Sequence, residues 1–525
     1  MKRKSAVYEV LICSTLFLIF GCGAGDGLDR APQRPKFTFS TDEAFDPSTI
    51  PPYQGDHADI YAHVDQHHYV HLGNLQRWMR QPSVSAQNIG ILEMATLLRD
   101  DLKTLGFKET EVVPTSGHPG VWGYYDAGAP KTLIIYLMYD VQPVNPEDWE
   151  SPPFEANLVD KELGTVLMAR GATNQKGPER AFLNALESII AVTGSLPVNL
   201  MVLAEGEEEL GSPNYPELVD RFEDRLRNAD GVFFPLNSQR PDGQFSMFLG
   251  VKGILYFEME AKGAEWGGPT RAEIHGSYKA IVDAPVLRLA QALASLTAPD
   301  GNTVLIPGYY DEIRPPDEEE QRLINGIVQN WDEANLKKLL GVERWIDDLS
   351  GRDALLRYLY EVTLNVDGIW GGYTGEGVKT ILPHKATAKV DSRLPADVDP
   401  ARCLELVRAH LDKNGFHDIE LRQLSGYPAA RTSVEAPLVQ AAIGVFNKWR
   451  QVSNVWPRLA GSAPFYQFTK RLGLPLVFNG LGHGSGAHAP NEYMVIKPAE
   501  GSSIAGLAEI EKSYVDLLYA LAASN

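Results

Sequence analysis

Cysteine is nearly absent. Three occur in 525 residues, Cys13, Cys22 and Cys403. Cys13 and Cys22 fall at the N-terminus, so a mature chain has no second thiol with which to close an intramolecular disulfide. Cys403 alone reads as a buried structural thiol. Positive charge is also scarce. The 48 Lys and Arg against 68 Asp and Glu leave a net charge of -20, which argues against a nucleic-acid partner, since that needs a basic face. No internal repeat is present. The longest apolar run, Val10 to Phe20, is too short to span a bilayer.

What is present begins with that run. Lys2-Arg3-Lys4 is a basic lead, and Ile19-Phe20-Gly21-Cys22 looks like a bacterial lipobox with Cys22 as the lipidated residue. The expectation is a signal peptide over 1–22, a flexible tether over 23–55, and a lipid-anchored protein of the bacterial cell envelope, facing the periplasm or the exterior. The length predicts two or three domains.

The centre of the chain alternates buried strands with helices. Leu133–Met138 and Asn199–Ala204 are short apolar runs, and Pro178–Thr193 is an amphipathic helix with Pro at its start and Gly194 at its end. This predicts a largely parallel sheet covered on both faces. Helices are also expected over 65–79, 87–105, 213–227, 439–450 and 509–523. After Gly250 the strands alternate polar and apolar, at 254–260 and 386–393, with helices at 284–296 and 403–414. That pattern predicts a small α+β module. The acidic, proline-bearing stretch 297–351 is expected at the surface.

Polar segments follow the ends of the two buried strands. They read MYDVQP (138–143), ARGATNQKGP (169–178) and EGEEELGS (205–212). Taken alone, the acidic run 205–209 would be a solvated turn. Taken together, the segments resemble the M20 family of zinc peptidases, in its carnosine and Cys-Gly dipeptidase branch. There the pattern is HYDVQP, GRGxxDDKGP and EGxEExGS. Further matches are 366–380, Ser392–Pro395, Arg458–Pro464 and Ala487–Glu492, and the similarity spans nearly all of 60–520. It implies an α/β/α zinc-peptidase-like catalytic domain over 56–250 and 428–525. An inserted α+β lid over 251–427 would mediate dimerisation.

The resemblance also implies a site with two zinc ions, and here the match fails. In the family, one metal is held by a His, a bridging Asp and a second Asp. The other is held by the same bridging Asp, a Glu and a C-terminal His. These positions fall on Met138, Asn174, Leu236, Glu209 and His488. A one-residue slip puts Asn237, also neutral and a candidate substrate contact, in place of Leu236. Thioether, amide and alkyl groups are poor or null zinc ligands. Two dications ~3.5–4 Å apart would lack the carboxylates that offset them. At most one weakly held zinc or manganese, on Glu209, His488 and the Asn174 oxygen, is expected.

Other matches survive. Glu208 falls on the general base. Asp140 normally supports the missing His and here becomes a candidate free carboxylate. His275 matches a lid histidine that stabilises the oxyanion in the partner subunit's site. Arg393 matches an arginine that binds the substrate carboxylate, and Gly461-Ser462 a loop lining the substrate pocket. His483 reads as structural. Two functions stay open: an M20-like hydrolase of small carboxylate-bearing amides with altered or absent metal dependence, and a lipid-anchored pseudoenzyme that binds small peptides or amino-acid derivatives.

Overall fold

The computed structural model describes residues 32–524. Cys22 and the lipobox lie outside them. Among the described residues, no helix is long and apolar enough to cross a membrane.

A six-stranded sheet forms the core, in the order Glu109–Val113, Gly120–Tyr125, Asn199–Glu205, Thr132–Met138, Gly231–Phe233, Leu476–Val477. The last four strands run parallel, and the first two are antiparallel additions. Alternation along Thr132–Met138 assigns each side chain to a layer. Leu133, Ile135 and Leu137 pack under the helices Ile91–Thr104, Lys176–Thr193 and Leu507–Ala523. Ile134, Tyr136 and Met138 face the opposite cluster, with Phe234, Phe465 and Phe468. Met138 pairs with Glu205, so the two central strands end side by side. This is where open α/β sheets place ligands.

Helix Lys176–Thr193 starts two residues before the predicted Pro178 and stops at Gly194, whose φ of 80° is the left-handed cap a glycine adopts without strain. The helix expected over 65–79 is two, Ala58–Gln66 and His68–Arg80.

A second four-stranded sheet joins Gly484–Ser485, Tyr493–Pro498, Gly164–Met168 and Asn157–Lys161. It brings the turn after Met168 beside the turn before Tyr493, since these two residues are paired. A third sheet, in the order Asn365–Trp370, Lys385–Leu394, Gly253–Lys262, Glu420–Tyr427, is wholly antiparallel. Helices Pro285–Leu296 and Pro400–Lys413 cover one face of it, around Leu255, Phe257 and Met259. Cys403 is buried there, and burial pushes its thiol up to about 12, as a structural cysteine requires.

Two expectations are corrected. Residues 32–55 are not a loose tether. Phe37 and Phe39 pack on a cluster with Leu355 and Tyr360, the Phe45 amide bonds Arg322, and the Tyr53 amide bonds Gly444. Residues 297–351 are not all surface. Helix Glu318–Asn330 buries Leu323, Ile324 and Ile327. Its acidic start, within the stretch expected at the surface, is a capping box between Asp317 and Glu320. Glu320 is fully buried because Arg314, Arg431 and Arg458 converge on it.

Candidate active site

The acidic turn after Glu205 is held from below. Asp140 is fully buried, and its two oxygens accept the backbone N–H groups of Glu208 and Glu209, each at 3.1 Å. Asp140 is therefore committed, not free as expected. Burial and the nearby Glu209 charge push its carboxyl up to about 7. Glu205 accepts from Tyr136 at 2.7 Å and Ser212 at 2.9 Å, and burial lifts it to about 8.

Glu208 keeps partial exposure but is hemmed in by protein. Desolvation, then the charges of Glu209, Asp140, Glu205 and Glu179, drive its carboxyl well above the ordinary range. Glu208 thus holds its proton far more tightly than a solvated glutamate.

Glu209 is at the centre of a closed network. Its Oε1 accepts from Asn174 Nδ2 at 2.7 Å. Its Oε2 accepts from Gln142 Nε2 at 2.7 Å and lies 3.2 Å from His488 Nε2. Hydrogen bonding to Glu209, with the carboxylate's charge behind it, raises the His488 pKa against the opposing effect of burial. The Asn174 oxygen is turned away, accepting from Gln175 at 3.0 Å. The loop carrying Asn174 is held by Glu492, which accepts from the amides of Gly171, Thr173 and Asn174 and from Arg170.

The Arg393 guanidinium bonds Ser462 Oγ at 3.0 Å and Asp391 at 3.0 Å, and Ser462 donates to the Gly253 carbonyl. The Gly461 carbonyl accepts from Lys252, which fixes this loop at the junction of the core and the third sheet. Asn237 donates to Thr173 at 3.3 Å, beside Asn174. His275 is exposed and bonds only Ser277 and Thr380 among the described residues, so one chain does not bring it to Glu208. His483 is buried against the Gln239 carbonyl at 2.8 Å, a structural role.

The comparisons with known proteins agree with this architecture. The family model described as peptidase family M20/M25/M40 matches residues 135–507. The chain belongs to that family. Among its relatives is a Cys-Gly metallodipeptidase, DUG1, of Candida albicans, 30% identical over 449 residues, covering 80% of this chain and 89% of that protein. A Beta-Ala-His dipeptidase of Rattus norvegicus is 28% identical, covering 72% and 78%. The M20 family metallo-carboxypeptidase Sso-CP2 of Sulfolobus solfataricus superposes with a TM-score of 0.75 at 33% identity, over 86% of this chain and 98% of that one. This M20 chain has the α/β fold expected and is a dipeptidase-like hydrolase at the level of its family.

M20 metallodipeptidases normally use zinc, and two zinc ions do not fit the donors found here. Met138 faces an apolar cluster, and Leu236 packs against the same cluster. Asn174 turns N–H, not oxygen, toward Glu209. Both Glu209 oxygens are already engaged. Glu209, His488 and Asn174 do come together, but as a hydrogen-bonded set and not as three lone pairs aimed at one point.

Three features were missed in the sequence. Glu179 is buried below Met138 and accepts its amide at 2.7 Å. Lys176 is buried beside it, its amine pulled down by desolvation to about 7. Glu492 organises the loop at 170–174. Only Glu492 had a signal, as the lone acid closing the segment Ala487–Glu492.

Proposed function

We propose that this M20 hydrolase cleaves an amide bond in a small, carboxylate-bearing substrate without a dinuclear zinc centre. The observation that carries the reading is the contrast within one site. The Glu208 turn and the Arg393–Ser462 pair are retained and braced, while the metal positions are filled or hydrogen-bonded shut. Arg393 takes the substrate carboxylate, a pairing its planar fork favours. Glu208 moves the proton of the attacking water. Its raised pKa means the basic form grows as pH rises, so turnover climbs toward alkaline pH.

The test is elemental analysis of the chain from residue 23, with a dipeptide and acyl-amino-acid panel run with and without chelator. The expected result is zinc well below two per chain, turnover unmoved by chelator, and a loss of about 100-fold or more in Glu208→Gln. Two zinc ions per chain, or activity abolished by chelator, overturns the reading.

A second reading, a peptide-binding pseudoenzyme, is favoured by the closed Glu209 network. Tight dipeptide binding without turnover, unchanged in Glu208→Gln, would establish it.

Two further parts are proposals of the same kind. Strand Asn365–Trp370 is a sheet edge with Val366, Ile369 and Trp370 exposed, which suits pairing with a second copy. Sedimentation of Trp370→Glu as a monomer against a wild-type dimer checks this. Anchoring through Cys22 is checked by labelled-palmitate incorporation, lost in Cys22→Ser.

A further inference from the structure

The third sheet aligns two side chains on one row. Arg393 and Tyr427 pair with the same residue, Ile254, from its two sides. Residues directly opposite across strands point to the same face. Arg393 reaches Ser462 on the core. Two residues before Tyr427, Ser425 Oγ lies 3.4 Å from the Gly211 carbonyl, so this strand end rests on the acidic turn that carries Glu208. Tyr427 is 8% exposed, and its ring stacks on Tyr466 at 5.7 Å and 12°. Among the described residues its hydroxyl has no hydrogen-bond partner. Burial keeps this phenol protonated, a donor and not a phenolate; the Glu208 charge adds to that effect and the Arg393 charge opposes it.

We infer that Tyr427 is the electrophile of this site, donating a hydrogen bond to the scissile carbonyl oxygen between the carboxylate held by Arg393 and the water at Glu208. This rests on the hydrolase reading above and gives the developing oxyanion a donor where the metal ligands are missing. Water adds to the carbonyl carbon, its proton passes to Glu208, and the π pair moves onto the oxygen that Tyr427 holds. On collapse the C–N bond breaks, and Glu208 returns the proton to the amine nitrogen. The products are a carboxylic acid and an amine, with no co-reactant beyond water.

The test compares the full-length chain with Tyr427→Phe, which removes one oxygen and keeps the stacked ring. The probes are Ala-Gly and its phosphinic isostere, a mimic of the tetrahedral anion. Tyr427→Phe is expected to weaken the phosphinate by about 100-fold and leave the dipeptide within about 2-fold. Where turnover is measured, kcat falls and KM holds. Thermal unfolding within ~2 °C of wild type shows that the fold is intact. Equal losses on both ligands, or no loss on either, overturn the inference alone. A wild-type chain that binds neither probe overturns the hydrolase reading, and this inference with it.

Discussion

The two ends of the site are built from opposite materials. At one, Met138 and Leu236 join an aromatic and aliphatic cluster behind the strand ends. At the other, Asn174 and Gln142 donate hydrogen bonds to Glu209, and His488 pairs with it. The difference teaches how a charged centre can be made stable in two ways. An apolar residue at the end of a buried strand closes space permanently, because close packing leaves no room for a ligand to return. An amide in place of a carboxylate leaves the space polar, because it removes a charge and supplies a donor in the same step. One end is sealed, and the other is only neutralised.

That comparison can be broken or sharpened by experiment. The largest effect is expected from pH acting on the acidic cluster. Asp140 and Glu205 titrate at about 7 and about 8 in the folded chain. Both values lie above those of the unfolded chain. Native protein therefore binds more protons between about pH 4 and 8, and stability falls as pH rises through that window. Urea unfolding should lose on the order of a few kcal/mol from pH 5 to pH 8, and Asp140→Asn should flatten the slope.

Met138→Ala tests the sealed end. It opens a cavity in a well-packed cluster and should cost about 3 kcal/mol, read from the urea midpoint at constant slope. A cost under ~1 kcal/mol would mean the cluster is loose and that end is not sealed.

Asn174→Asp tests the neutralised end. A carboxylate replaces the donor 2.7 Å from Glu209, so two acids meet where a hydrogen bond was. A loss of ~1–2 kcal/mol near neutral pH is expected. The new acid's folded pKa is raised, so the loss should shrink as pH falls and the pair takes up a proton. Added zinc should restore part of the stability in this variant and leave Met138→Ala unaffected.

His488→Ala should be the smallest. Its side chain is 61% exposed, and solvent screens the pair with Glu209, leaving about 0.5 kcal/mol. The His488 pKa is raised in the folded chain. Its contribution is therefore full below the ordinary histidine value and disappears as pH rises through the raised one. Stability of His488→Ala and wild type should converge once pH has risen past that raised value.

The sequence by itself determined the layered fold and the family. The apolar runs at 133–138 and 199–204 read as buried strands because period and length allow little else, and the three polar segments behind them identify the family. The residue types at Met138, Asn174 and Leu236 could be read as poor metal ligands from the sequence alone. Tertiary structure decided the rest, through contacts between residues far apart in the chain. Asp140 is bound by amides 68 and 69 residues away. Glu492 grips a loop more than 300 residues before it. The acidic start of Glu318–Asn330 reads as surface until Arg314, Arg431 and Arg458 surround Glu320. Tyr427 and Arg393 share a row only because the strand bearing Ile254 lies between theirs. Pattern along the chain reports which face is apolar. It cannot report which distant charge or hydrogen-bond donor meets a buried group, and that meeting decides whether the group is a ligand, a brace or a catalyst.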